Sequence, residues 1–335
     1  LLVFCWLFRS FLQHKKEYNK MSRAWVMFWL VGLIWGSSFL LIRVGVGEMS
    51  PSQVVLIRCA IAAIGLNVVL FLRGMRLPSD AKAWRDMAII GVGNAALPYL
   101  LLGIGEQYVP SNVTSVLQST TALFTMPIAH FVMADEKLNP SKVIGVVLGF
   151  VGVVVLASSS GTPGQEFTFA NTLPILAAAL SYAIFAIYSR LVTQRRREAG
   201  LPKIEPLAVA ASTFIPAVIF ALIAMFLEPV LGGRAATPLS AVSSDGLIAV
   251  LMLGFINTFI AYMFFYYVLQ ELGASRGTMV TYVVPVVGLF LGWLVLNEHI
   301  DAMVILGAAL IFAGIAITNI SFERLWTRVR PRPIG

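Results

Sequence analysis

Apolar runs of about 18 to 24 residues follow one another along almost the whole chain, separated by short polar segments. The pattern predicts spans at 24–44, 52–72, 87–105, 111–133, 141–158, 172–190, 206–227, 246–269, 276–296 and 302–320. At a rise of about 1.5 Å per residue, such a helix crosses a hydrocarbon core of ~30 Å. No period-two alternation of apolar and polar residues accompanies the runs, so a closed barrel is not indicated. Helices satisfy their own backbone groups in lipid. The expected fold is an all-α membrane protein of ten transmembrane helices.

The stretch from Gly273 to Asn319 holds an apolar helix with Pro285 and Gly288-x-x-x-Gly292, a polar corner at Asn297-Glu298-His299-Ile300-Asp301, and a second apolar helix. Shifted by 162 positions, it lays Glu298 on Glu136, Gly307 on Gly145, Leu310 on Leu148, Phe312 on Phe150 and Gly314 on Gly152. A shift of 163 lays Gly254, Asn257, Tyr262 and Gln270 on Gly91, Asn94, Tyr99 and Gln107. A shift of 147 lays Tyr182-Ala183 and Arg190 on Trp35-Gly36 and Arg43. Such self-similarity marks a duplication. Five spans per copy is an odd number, so the copies must enter the membrane from opposite sides, an arrangement suited to alternating access. The domains read as an N-terminal extension at 1–23, possibly foreign to the native fold, five-helix repeats at 24–158 and 159–320, and a basic tail at 321–335.

Composition agrees with lipid as the main solvent: 59% of residues are hydrophobic and 12% charged. The net charge of +8 raises nucleic acid as a partner, but its distribution argues against that reading. With the N-terminus placed in the cytoplasm, 21 of the 24 basic residues fall inside, Arg43 and Arg234 outside, and Arg58 within a span. Both termini are therefore expected to be cytoplasmic. Cys5 and Cys59 are far apart and suggest neither a disulfide framework nor a metal site. No zinc-protease helix, nucleophile elbow or phosphate loop is present, so neither an enzyme nor a cofactor is expected.

A few polar residues stand out against this apolar background. Arg58 is costly in mid-membrane; it can snorkel outward, pair with Glu106, or receive a substrate carboxylate. Asn94 and Asn257 are repeat-related amides near mid-span that either bind substrate or bond across helices. Thr114, Gln118, Thr121 and Thr125 form a stripe whose threonines can bond back to their own turn, while Gln118 favours a wet cavity. Trp35 and Ser38 share a face of the first span. Tyr262, Phe265, Tyr266 and Tyr267 add aromatic surface that serves packing, an interfacial belt or a substrate platform, and Tyr99 and Tyr182 are the repeat mates of Tyr262 and Trp35. The candidate lining is thus Trp35, Ser38, Arg58, Asn94, Tyr99, Gln118, Tyr182, Asn257 and Tyr262. Glu136 and Glu298 read as helix-end caps or loop anchors. His130 reads as a satisfied histidine near a helix end. Gly145, Gly149 and Gly152 suit internal packing or dimerisation equally.

Trp35-Gly36-Ser37, Arg58, the run from Pro285 to Glu298 and the glutamate–glycine pattern closing each half resemble the drug/metabolite transporter superfamily, specifically its ten-helix EamA-type permeases. The resemblance covers about residues 24–320. It implies a multi-pass bacterial inner-membrane exporter of amino acids or related small metabolites, with a central cavity and peripheral fifth and tenth helices. Multidrug efflux is the alternative within transport. A membrane sensor or scaffold is the alternative outside it. The small four-helix multidrug relatives couple to protons through a glutamate in their first helix, and the first span here has no acidic residue. Coupling would then fall to Glu106 or His130, with facilitated diffusion down a gradient as the alternative. The partners expected are a small-molecule substrate and the lipid bilayer, with a second copy in a homodimer as an option and no nucleic acid.

Overall fold

A computed structural model of the chain describes residues 2–133, 136–159 and 167–319, so the basic tail at 321–335 lies outside the described residues, as do the side chains of 2–20. The described residues form ten helices and no strand. They are α1 (Leu2–Glu48), α2 (Pro51–Leu72), α3 (Ala81–Glu106), α4 (Ser111–Gln118 and Thr121–Val132), α5 (Pro140–Leu156), α6 (Phe169–Glu198), α7 (Pro206–Leu227), α8 (Ser244–Gly273), α9 (Val280–Leu296) and α10 (Ala302–Asn319). Among the described residues, six helices, α1 to α3 and α6 to α8, are long and apolar enough to cross a membrane unaided. Helices α5, α9 and α10 are shorter apolar rods, and α4 is interrupted at Ser119 and Thr120.

Local chemistry sets many of the ends. Ser50 caps α2, Asp80 caps α3 and Ser243 caps α8, each with a side-chain oxygen accepting an N–H of the first turn. Asn139 caps α5 through the Lys142 N–H at 2.9 Å, and its repeat mate Asp301 caps α10 through the Val304 N–H at 2.8 Å. Asn297 ends α9 in the left-handed region at φ 52°, a conformation that asparagine tolerates better than most residues.

Packing follows the duplication. Helix α1 lies against α8 and α9, while its counterpart α6 lies against α3 and α4. Helix α2 packs on α7, α3 on α7 and α2 on α8. The α5–α10 pair shows the pseudo-twofold most directly. A Cβ on Gly145 would stand 2.5 Å from the Gly314 carbonyl oxygen, and one on Gly314 would stand 2.5 Å from that of Gly145. A Cβ on Gly152 would lie 2.8 Å from the Gly307 oxygen, and Gly307 in turn packs on Leu156. Since Gly145 matches Gly307 and Gly152 matches Gly314, each glycine meets the mate of the other. These glycines serve packing between the two inverted repeats.

One element escaped the hydrophobic pattern. Both α3 and α8 open into a π-helical turn, at Val92–Ala96 and Phe255–Ile260, and each turn contains the repeat-related asparagine. A π turn adds a residue to the helical repeat and re-aims the side chains on either side of it.

Candidate functional site

Arg58 lies at the junction of the halves. It is 5% exposed, its Nε donates to Thr258 Oγ1 on α8 at 2.8 Å, and its guanidinium carbon stands 3.6 Å from the centroid of the Tyr99 ring on α3. The sequence left three placements open for this arginine, and the structure chooses neither snorkelling nor an ion pair with Glu106. A hydroxyl acceptor and an aromatic face hold the guanidinium inside, where a cation over a ring is worth ~2 kcal/mol or more once desolvated. Tyr99, Tyr182 and Tyr262 pack in one cluster beside it. Trp35 closes the group, its ring centroid 6.2 Å from Tyr262 and 4.9 Å from Phe265. Phe214 of α7 meets Tyr262 edge-on at 5.3 Å.

The two asparagines have diverged. Asn257 is buried, and its Nδ2 donates to the Ile34 carbonyl, to Ser37 Oγ at 2.9 Å and to Ser38 Oγ at 3.1 Å. Its amide and Ser38 therefore bind α8 to α1. Asn94 is half-buried, and none of the described residues bonds its side chain. Gln118 is also half-buried; its amide nitrogen donates to Thr121 Oγ1 at 3.1 Å, and its oxygen has no partner among the described residues. The threonines of the stripe bond back along their own helix, Thr114 to Pro110, Thr121 to Gln118 and Thr125 to Thr121.

The two ends of the bundle differ. At one end Glu298 accepts from the Ser111 N–H at 2.7 Å, Ser111 Oγ at 3.0 Å and the Asn112 N–H at 2.8 Å. These donors belong to the first turn of α4, whose N–H groups have no partner within the helix. The carboxylate thus caps a helix of the opposite half and also faces the positive end of its dipole. Here α4 is buried from Ser111 through Leu117. At the other end Glu136, the repeat mate, is half-buried and pairs with Arg190 at 3.3 Å and Lys142 at 3.9 Å. On that side of the break only Leu123 and Ala129 of α4 are buried. His130 accepts the Leu138 N–H at 3.2 Å through Nδ1.

Thr258 and Phe214 adjoin these residues although the sequence did not single them out. Thr258 sits beside Asn257 in the π turn, and the position of that turn is set by packing rather than by pattern. Phe214 stands in a continuous apolar run, where one ring looks like any other.

An all-helical membrane bundle of two inverted halves, with a polar and aromatic cluster where they meet and α4 buried at one end, has the form of a transporter. The chain belongs to the EamA-like transporter family, whose pattern it matches over residues 23–158 and again over 172–320. It is a multi-pass membrane protein. Among its relatives, an uncharacterized transporter of Bacillus subtilis strain 168, YoaV, is 28% identical over 295 residues, covering 88% of this chain and 96% of its own. A probable amino-acid metabolite efflux pump of Salmonella typhimurium is 27% identical over 294 residues, 88% of this chain and 94% of its own. The uncharacterized inner membrane transporter YedA of Escherichia coli K12 is 28% identical, with 78% of each chain covered. A solved crystal structure superposes with a TM-score of 0.60 at 21% identity, covering 91% of this chain and 99% of its own, which shows the shared fold.

Proposed function

We propose that this transporter moves amino acids or related small metabolites across a bacterial inner membrane by alternating access around Arg58. The observation that carries the reading is a buried guanidinium between the halves whose anchors, a threonine hydroxyl and a tyrosine ring, leave its positive charge without a counter-anion among the described residues. A substrate carboxylate answers that charge, since arginine matches carboxylate geometry with paired N–H donors. Asn94 and Gln118 offer unpaired polar atoms to the remaining substrate groups, and Trp35, Tyr182 and Tyr262 present ring faces to an apolar side chain. The bias of basic residues places Glu136 and both termini on the cytoplasmic side. The half-buried cytoplasmic half of α4 then marks a state closed outside by Glu298 and opening inward.

The name of the Salmonella relative supports an amino-acid-like substrate and outward transport. The test is efflux from liposomes loaded with a panel of amino acids, their uncharged amides and hydrophobic cationic dyes. Flux of amino acids that falls at least tenfold in Arg58→Gln, while the amides are unaffected, supports the reading. Flux of dyes alone, untouched by Arg58→Gln but reduced by Trp35→Ala, would replace it with multidrug efflux.

A further inference from the structure

Glu106, at the Glu298 end of α3, has no exposed surface, and neither carboxylate oxygen has a hydrogen-bond partner among the described residues. The charged groups that face it are Glu298 from the α9–α10 corner, Arg43 from α1 and Arg58 from α2. Both arginines are directed elsewhere. Arg43 donates to the backbone carbonyl of Glu106 rather than to its carboxylate, and Arg58 is held by Thr258 and Tyr99. From α6 comes Ile175, an apolar side chain packed on the adjacent Gly105. Glu298 supplies negative charge, already engaged by three donors of α4. Another acceptor without a donor, Asn112 Oδ1, is buried on the first turn of α4 beside Glu298. An ionised carboxylate without a protein donor or a paired cation is costly to bury, and the group escapes that cost by taking up a proton.

We propose that Glu106 is a proton-operated latch for this end of the bundle: it takes up a proton from water on the Glu298 side as that end closes and returns it to the same side as the end opens. The inference rests on the transport reading above for its role, but not for its chemistry. Opening the seal between α4 and the α9–α10 corner wets the carboxyl and separates it from Glu298, and both changes favour ionisation. Proton binding thereby becomes a ligand of the closed state: each proton taken up at Glu106 shifts the population toward closure at that end. A lone carboxyl suits a proton better than a metal ion, because a cation of the sodium or calcium type needs several oxygens at once.

The test uses the full chain in lipid bilayers and needs no substrate. Infrared difference spectra recorded across a pH titration are expected to show the carbonyl stretch of a protonated, weakly hydrogen-bonded carboxyl at neutral pH. The band should vanish in Glu106→Gln and move without vanishing in Glu106→Asp, which keeps a carboxyl should the amide fold poorly. Absence of the band in the folded wild type, or its survival in Glu106→Gln, overturns the proposal. A second arm measures efflux of an amino acid carried in the liposome panel at neutral and at acidic pH on the Glu298 side. Acid should slow efflux at least twofold in the wild type and leave Glu106→Gln unaffected. No slowing in the wild type, or slowing of equal size in Glu106→Gln, also overturns it. If no amino acid is carried at all, the transport reading fails, while the infrared result still decides whether Glu106 holds a proton.

Discussion

Replacing Glu298 by glutamine removes one charge and little volume from the contact that closes one end of the bundle. The carboxylate now accepts from two backbone N–H groups and one hydroxyl at 2.7 to 3.0 Å. Hydrogen bonds to a charged group contribute about 1.5–3 kcal/mol each, and an anion at a helix N-terminus adds up to ~2 kcal/mol in partly buried geometry. Glutamine keeps one acceptor oxygen and turns an amide toward donors, so a net loss of roughly 2–4 kcal/mol is expected, about a 30- to 700-fold shift toward the open end. Ser115 reports the change. It is 1% exposed, and its hydroxyl donates to the Asn112 carbonyl at 2.7 Å and to the Pro285 carbonyl at 3.3 Å. In a background with Cys5 and Cys59 replaced by alanine, Ser115→Cys should react slowly with a membrane-impermeant maleimide added at the Glu298 side. Adding Glu298→Gln should speed that reaction by at least an order of magnitude. Equal rates with and without Glu298→Gln, in protein that elutes as a folded monodisperse species, would refute the assignment of Glu298 as the latch.

Gly314→Ala forces a Cβ to within 2.5 Å of the Gly145 carbonyl oxygen, and thermal unfolding in detergent should show a loss of about 1–3 kcal/mol. Asn257→Ala removes the side-chain hydrogen bonds by which α8 reaches the Ile34 carbonyl and two serines of α1 and should cost a similar amount. Asn94→Ala should leave unfolding nearly unchanged and lower amino-acid flux instead. Asp80 caps α3 at the surface, and the Ala83 N–H holds its pKa below the usual carboxylate value. A lowered folded pKa stabilises above the unfolded value of ~3.9 and is lost as pH falls through the folded one. Asp80→Ala should therefore lower the melting temperature at pH 7, with a difference that shrinks as the pH falls below the unfolded carboxylate value of ~3.9.

Much of this architecture is legible in the sequence because lipid imposes a simple rule: each crossing segment must be apolar and helical. The starts of α2, α4, α7 and α10 lie within a residue or two of where the apolar pattern places them, since a proline, cap or corner stands there. Helices α3, α6 and α8 overrun their predicted limits because polar residues such as Lys82, Arg85 and Arg195 to Arg197 continue the helix beyond the apolar run. The repeat was visible through the few positions where geometry forbids change, among them the glycines that cross between α5 and α10. Arg58 was recognisable as exceptional, but its partners were not. Thr258 looks like any threonine in an apolar run until the π turn of α8 aims it at α2.

Repeat mates with identical residues do different work here, and the reason lies in what faces them. The positions on α6 that correspond to Ile34, Ser37 and Ser38 of α1 are Ser181, Ile184 and Phe185. The hydroxyl there, that of Ser181, donates to the Gly93 carbonyl at 2.6 Å, and Phe185 packs against Gly93. Helix α3 is thus fastened through its backbone, which frees the Asn94 amide, whereas α8 is fastened through the Asn257 amide itself. The same contrast separates Glu298, which caps α4, from Glu136, which pairs with Arg190 and Lys142 and leaves α9 uncapped by its carboxylate. A bundle with exact twofold chemistry would favour both closed ends equally. Divergence at these two pairs therefore makes the two ends unequal: polar anchoring between the halves is concentrated at the Glu298 end, and the Asn94 amide is left unbonded among the described residues.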